Sequence, residues 1–286
     1  MTPPHHSAEL WHYTDLQSFV SIVKTNSIWA SSYTRMNDVG ELQYGFDQLA
    51  SAVRSRLEIE AKEQTKNRLN DLAETLSAPL PVMDLHFASA SSARDSLTQW
   101  TNYGGEMPIA IRLSKTPLAR RGFDNEISLQ TKRPVEGVGH LINDIFSTGW
   151  RQVIYGEAEQ RELIEEFIGF LIQTREQSPD RDMIDIMFLA PYLKHPAFHH
   201  EKESRFLASS LDMKGPKFRV SGRGLTTYLE LTPARDDECQ PGFQLIEEVM
   251  LGPGADKHDV IMVDKLLSQS GFKDVVITTS AVPYRP

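Results

Sequence analysis

Leu10-Trp11-His12-Tyr13-Thr14-Asp15-Leu16-Gln17-Ser18-Phe19-Val20-Ser21-Ile22-Val23 and the following Lys24-Thr25-Asn26-Ser27-Ile28-Trp29-Ala30-Ser31 decide the fold class. Residues 10–13 combine aromatic and apolar side chains in the manner of a short strand. Thr14 with Gln17 reads as a capping box, in which a hydroxyl and an amide satisfy the free N–H groups of a helix start. Leu16, Phe19, Val20 and Val23 then recur at helical spacing, so one face should pack inward. Residues 28–31 form a second strand. Strand, helix and strand within about two dozen residues exclude an all-helical chain.

Outward from this unit the pattern alternates. A polar turn, Arg35-Met36-Asn37-Asp38, precedes a long amphipathic region carrying Leu42, Phe46, Leu49, Val53 and Leu57, which continues to about Leu76 before Pro79 and Pro81 stop it. Strands are expected at 84–90, 109–113, 204–209, 225–231, 243–251 and 275–279, and helical pattern at 157–185, 183–193 and 259–270. The expectation is a single α+β domain over 9–286. Its mixed or antiparallel sheet would be split by helical insertions near 38–78 and 140–194, behind a flexible tail at 1–8.

Composition bounds the function. The 286 residues hold 30 lysines and arginines against 39 acids, a net charge of −9. A surface built to coat nucleic acid needs a cationic surplus. The bias is local instead: residues 112–133 carry six cations and two acids. One cysteine, Cys239, set beside Asp236, Asp237 and Glu238, offers neither a disulfide nor a reactive thiolate. No apolar run approaches the ~20 residues of a membrane span. Met1-Thr2-Pro3-Pro4-His5-His6 lacks the marks of a signal peptide. The expected compartment is the cytoplasm, without a membrane partner.

Six segments together resemble a known family: Leu10-Trp11-His12-Tyr13-Thr14, the turn from Arg35 to Glu41, Gln99-Trp100-Thr101-Asn102-Tyr103-Gly104, the stretch from Lys194 to Phe206, Leu251-Gly252-Pro253 and Pro283-Tyr284-Arg285. They look like the bacterial family of unknown function 2971, over nearly the whole chain. Val39 and Ser204 depart from it, since the family often has proline and tryptophan there. A fainter resemblance is to ADP-ribosyltransferases, including the DNA-modifying DarT-like toxins. It implies an ADP-ribosyltransferase-like fold, NAD as co-substrate, a nucleic-acid or protein acceptor and, by analogy, a toxin or phage-defence role. The matching residues are His12 on the first strand, Tyr13 or Tyr103 near nicotinamide, and the late glutamate Glu203.

That chemistry suits the residue types. Expelling nicotinamide from ribose leaves a cationic, oxocarbenium-like sugar, which a fixed carboxylate stabilises. Glu201, Glu203 and Arg205 would share one face of a strand, the arginine holding both acids ionised. The plain structural alternative is an edge strand with solvated, alternating charge. Arg35 is placed to grip a pyrophosphate with its planar fork. Asn37 contributes beside it, although Asn37, Asp38 and Glu41 also suit a helix start. His12 would hold a ribose hydroxyl, or else sit satisfied on a backbone carbonyl. Trp100 and Tyr103, three apart, would stack on a base or on nicotinamide, or else belong to the core. No metal is expected: Pro196 interrupts any helix that would align His195 and His199. Two other readings remain, a Mg²⁺-dependent nuclease using Asp38, Glu201, Lys202 and Glu203, and a non-catalytic nucleotide-binding module.

Overall fold

A computed structural model describes residues 9–33, 39–79, 85–105, 107–120, 149–173, 178–209, 215–221, 224–234 and 243–283. The opening unit is strand, helix, strand as expected: β1 (Trp11–Asp15), α1 (Leu16–Thr25) and β2 (Ile28–Ser32). The cap differs by one residue. Asp15, not Thr14, closes the helix, its carboxylate accepting from the Ser18 N–H at 2.7 Å. Thr14 is instead buried as the fourth strand residue. The inward face of α1 is Phe19, Ile22 and Val23, with Ile22 where Val20 was expected.

The long amphipathic region is two helices, α2 (Val39–Ile59) and α3 (Glu63–Ser77). Residues 60–62 contain no breaker. Folding back is what lets Leu69 and Leu72 share a core with Leu49 and Val53, so packing rather than propensity sets the break. There follow β3 (Leu85–Ser91), α4 (Leu97–Tyr103), β4 (Pro108–Leu113), β5 (Leu118–Arg120) and β6 (Trp150–Gln152). Next come α5 (Glu157–Gln173) and α6 (Pro179–Leu189), then short 3₁₀ turns at Ala190–Tyr192 and Pro196–Glu201. Thus the helix expected at 183–193 lies earlier, with Pro179 in its first turn and Ser178 as its cap. β7 (Glu203–Ser209), β8 (Lys217–Ser221), β9 (Gly224–Pro233), β10 (Ile246–Leu251), α7 (Lys257–Gln269) and β11 (Val276–Thr279) complete the order. The fold is a single mixed α+β domain. Residues 1–8 and most of the basic stretch beyond Arg120, like Cys239, lie outside the described residues.

The eleven strands among the described residues join one sheet, ordered β11-β10-β4-β1-β3-β2-β9-β5, with β6 and β7 added along β3 and β8 along β9. Every pairing is antiparallel except β10 with β11. Alternation along β3 and β7 sends Leu85, Phe87 and Leu207 to a core formed with α2, α3, α5 and α6. Ala88, Ala90, Phe206 and Ala208 face the other way, towards α1 and α7.

β3 is where the sheet forks. Along one edge it pairs with β7 for its full length. Along the other it meets β1 only at Ser91 and β2 only at His86 and Phe87. Between those contacts β1 and β2 diverge, leaving a gap beside Ala88, Ser89 and Ala90.

α2 reaches this region because Gly45 lies directly on the backbone of Ala190. A Cβ there would stand 2.3 Å from the Ala190 carbonyl oxygen. Backbone cannot yield as a side-chain tip does, so Gly45→Ala should cost about 1–3 kcal/mol by overpacking. A thermal melt with an unchanged midpoint would contradict that close approach.

Candidate functional site

The same sheet face that is apolar at Leu85, Phe87 and Leu207 turns polar one register further on. Ser89 lies opposite Arg205, and Ser91 opposite Glu203. These groups border a cavity of about 300 Å³ at the fork, which also touches His12 on β1, Trp29 and Ser31 on β2, and Glu41 on α2. It falls at the lower end of the usual range for small-molecule sites.

Two cations and three acids interlock at its floor. Lys194 Nζ meets Glu201 Oε2 at 2.6 Å, Glu41 Oε1 at 2.7 Å and Glu203 Oε2 at 3.1 Å. These three contacts use all the donors of an ammonium. Arg205 holds Glu203 bidentately, through Nε and one terminal nitrogen at 2.8 Å each. It also donates to Glu41 and, at 2.6 Å, to the Pro191 carbonyl. Lys194 therefore has no donor to spare for a ligand, and Arg205 has four of its five N–H groups engaged. The edge-strand alternative is therefore set aside: β7 lies between β3 and β6, and Glu203 and Arg205 are 7% and 3% exposed. Glu203 and Arg205 share a face as expected, but Glu201 arrives differently. It ends the 3₁₀ turn, and Lys202 with φ 45° swings the chain so that both glutamates converge on Lys194.

Burial alone would raise the pKa of Glu203. The Arg205 guanidinium, Lys194 and the Ser89 hydroxyl, which donates at 2.7 Å, reverse this and hold it at about 2. The folded value thus lies below the ordinary 4.5. Ionised Glu203 stabilises the native state above pH ~4.5, and that contribution fades as pH falls towards 2. At ~1.36 kcal/mol for each pH unit it amounts to about 3 kcal/mol. The stability advantage of the wild type over Glu203→Gln should therefore shrink on acidification between pH 4.5 and 2, as measured by urea unfolding. A constant gap would contradict the ion pairing.

His12 sits at the fork itself. Its Nδ1 is 2.8 Å from the Ser89 carbonyl, which only accepts, so Nδ1 carries the proton. Burial lowers the pKa, the bond to Ser89 opposing it, and the ring is neutral at pH 7. Nε2 is then an acceptor. Ser89 links imidazole and carboxylate, accepting from His12 through its carbonyl and donating to Glu203 through its hydroxyl.

The other expected residues divide. Tyr103 borders the cavity at the end of α4, its pKa raised by burial and by Glu201 and Glu203. Tyr13 borders it too, but its hydroxyl donates to the Ala93 carbonyl and accepts from the Ser96 N–H. Trp100 does not reach the cavity. It is 1% exposed, packs edge-on against Tyr13 at 4.7 Å, and donates its indole N–H to Asp95. It is therefore a core residue, not a platform for a base. Its neighbour Gln99 points the other way, donating to the Glu201 carbonyl. Arg35, Asn37 and Asp38 lie outside the described residues. Lys202 is exposed, and His195, His199 and His200 do not border the cavity. Among the described residues, no group of three or more histidines, cysteines or acids is arranged to hold a metal ion. The three glutamates enclose the Lys194 ammonium instead.

Reading the sequence assigned no role to Lys194, Trp29, Arg219 or Tyr155. Lys194 was part of a quoted motif, but a lysine's burial leaves no mark in the sequence. Tyr155 accepts from the Glu203 backbone N–H at 3.1 Å, fixing the start of β7.

The model of the family "Protein of unknown function (DUF2971)" matches residues 99–206. The resemblance to that family therefore holds over this span. It includes Gln99, Tyr103, Lys194, Glu201, Glu203 and Arg205. His12, Ser89 and Glu41 lie before it. No curated protein and no solved structure matches the chain. No helix among the described residues is long and apolar enough to cross a membrane.

Proposed function

We propose that the chain is an NAD-consuming enzyme of ADP-ribosyltransferase type, which breaks the bond between nicotinamide and ribose and passes the ADP-ribosyl group to a nucleic-acid base, a protein side chain or water. The observation that carries this reading is the shared cavity of Glu203 and His12. A carboxylate held ionised in a half-enclosed site stabilises the cationic sugar as nicotinamide departs. The cluster's charge, three carboxylates less two cations, is −1, so its surplus is negative where positive charge develops. Arg205 and Lys194 are positioning residues: with Ser89 they give each Glu203 oxygen two hydrogen bonds, so the carboxylate is fixed and acts on the ribose through its charge. Neutral His12 accepts from a ribose hydroxyl at Nε2, and Tyr103 closes the nicotinamide side. The cavity takes the nicotinamide riboside half, and the remainder of the dinucleotide lies along its rim.

In the transfer step the C1′–N bond to nicotinamide breaks with its electron pair going to the ring nitrogen. The acceptor's lone pair forms the new bond at C1′, and its proton passes to solvent. The test is to incubate the purified chain with NAD, alone, with nucleic acid and with a protein mixture, and to quantify free nicotinamide. Release in any arm above the protein-free control is expected. No release in all three contradicts the reading.

A further inference from the structure

β8 is a short strand that, among the described residues, pairs with β9 alone. Alternation puts Lys217 and Arg219 on one face and Phe218 and Val220 on the other. Register places Arg219 opposite Thr226 and Lys217 opposite Tyr228, while β2 sets Ser31 opposite Tyr228 and Trp29 opposite Glu230. A wall results that faces the same cavity as Glu203. The cations on it differ in one respect. Lys217 is paired with Glu230 at 2.8 Å. Arg219 has no carboxylate partner among the described residues.

Arg219 is nevertheless held firmly. One terminal nitrogen donates to Ser31 Oγ at 2.9 Å, and the guanidinium lies 5.5 Å from the centre of the Trp29 ring, which Tyr228 buttresses at 4.5 Å. Its Nε is buried and has no hydrogen-bond partner among the described residues. A buried N–H left unmade is costly, and such groups usually mark a missing partner. Among the described cations bordering the cavity, Arg219 has the most donors unused, since Lys194 has none left and Arg205 has four of five N–H groups engaged.

The geometry points to Arg219, braced by Trp29 and Ser31, as the grip for the phosphate of a nucleotide ligand. It is a binding residue on the wall of the fork, across the cavity from the acidic pole. The site is thereby polarised along its length, with a carboxylate for a sugar that becomes cationic and a rigid planar fork for phosphate oxygens. That polarity deepens the glycosyl-transfer reading, on which it rests, by naming the part of the ligand that sets affinity. It also supplies, from described residues, the anion grip that the sequence assigned to Arg35.

Calorimetric titration with ADP-ribose, which has the phosphates but no bond to break, separates the two claims. The wild type should bind it. Arg219→Gln should weaken binding roughly 10- to 100-fold, the scale of a lost charge-assisted bond. Arg219→Lys should recover only part, because a point charge lacks the fork, and Ser31→Ala should weaken binding several-fold. Lys217→Gln, already neutralised by Glu230, should bind as the wild type does. Thermal melts identify any variant that fails to fold, in which case the lysine and Ser31 variants decide. No binding of ADP-ribose by the wild type, or equal binding by the Arg219 variants, overturns the phosphate grip. Arg219-dependent binding without nicotinamide release from NAD keeps the grip and overturns the transfer reaction.

Discussion

Glu203→Gln is expected to lower the rate of nicotinamide release by about 10²–10³-fold while leaving ADP-ribose affinity within a few-fold of the wild type. The amide matches the carboxylate in shape and still accepts from Ser89 and one nitrogen of Arg205, so the fork keeps its form. What it loses is the negative charge opposite C1′, which matters little to the bound ground state and greatly to the transition state. Rate and affinity should therefore separate. Steady-state release at saturating NAD measures the first and calorimetry the second. Equal loss in both would make Glu203 a general support of the site, and an undiminished rate would remove it from the chemistry.

Lys194→Met should be the most destabilising single change in the site, at about 3–5 kcal/mol near neutral pH. Methionine fills much of the lysine's volume but leaves Glu41, Glu201 and Glu203 facing one another without the ammonium that separates them. The variant should regain part of its stability below about pH 5, because protonation relieves the repulsion among the acids. Urea unfolding at pH 7 and pH 5 provides the comparison. A loss under about 1 kcal/mol, or a loss that grows on acidification, would contradict the interlocked cluster.

How far the sequence carries the fold can be argued from particular residues. The strand–helix–strand opening was legible because its periodicities are local, and so was the shared face of Glu203 and Arg205, which alternation dictates once β7 is a strand. The cap at Asp15 was missed because Thr14 satisfies the same pattern one residue earlier, and only burial of Thr14 in β1 decides between them. The turn between α2 and α3 left no trace, since residues 60–62 are good helix formers and the reversal comes from packing in the core. Most of the site was hidden for the same reason. Lys194, Arg219 and Ser89 acquire meaning from neighbours 9, 188 and 114 positions away in the chain, through Glu203, Ser31 and Glu203 respectively. Trp100 shows the converse. Its spacing from Tyr103 put both on one helix, but a seven-residue helix turns one ring to the cavity and buries the other.

The fork in the sheet ties these points together. Were β1 paired along all of β3, the Ser89 carbonyl would be consumed by the ladder and His12 would have no place beside Glu203. The divergence of β1 and β2 creates a gap, and polar side chains from five strands converge on it.

The most direct measurement is a crystal structure of Glu203→Gln grown with NAD. The account predicts the nicotinamide ribose in the fork, with its 2′-hydroxyl or C1′ beside residue 203, a ribose hydroxyl on His12 Nε2 and a phosphate on Arg219. NAD seated elsewhere, for instance in the apolar groove of about 430 Å³ between α1 and α7, or a fork left without nucleotide at saturating NAD, would contradict it.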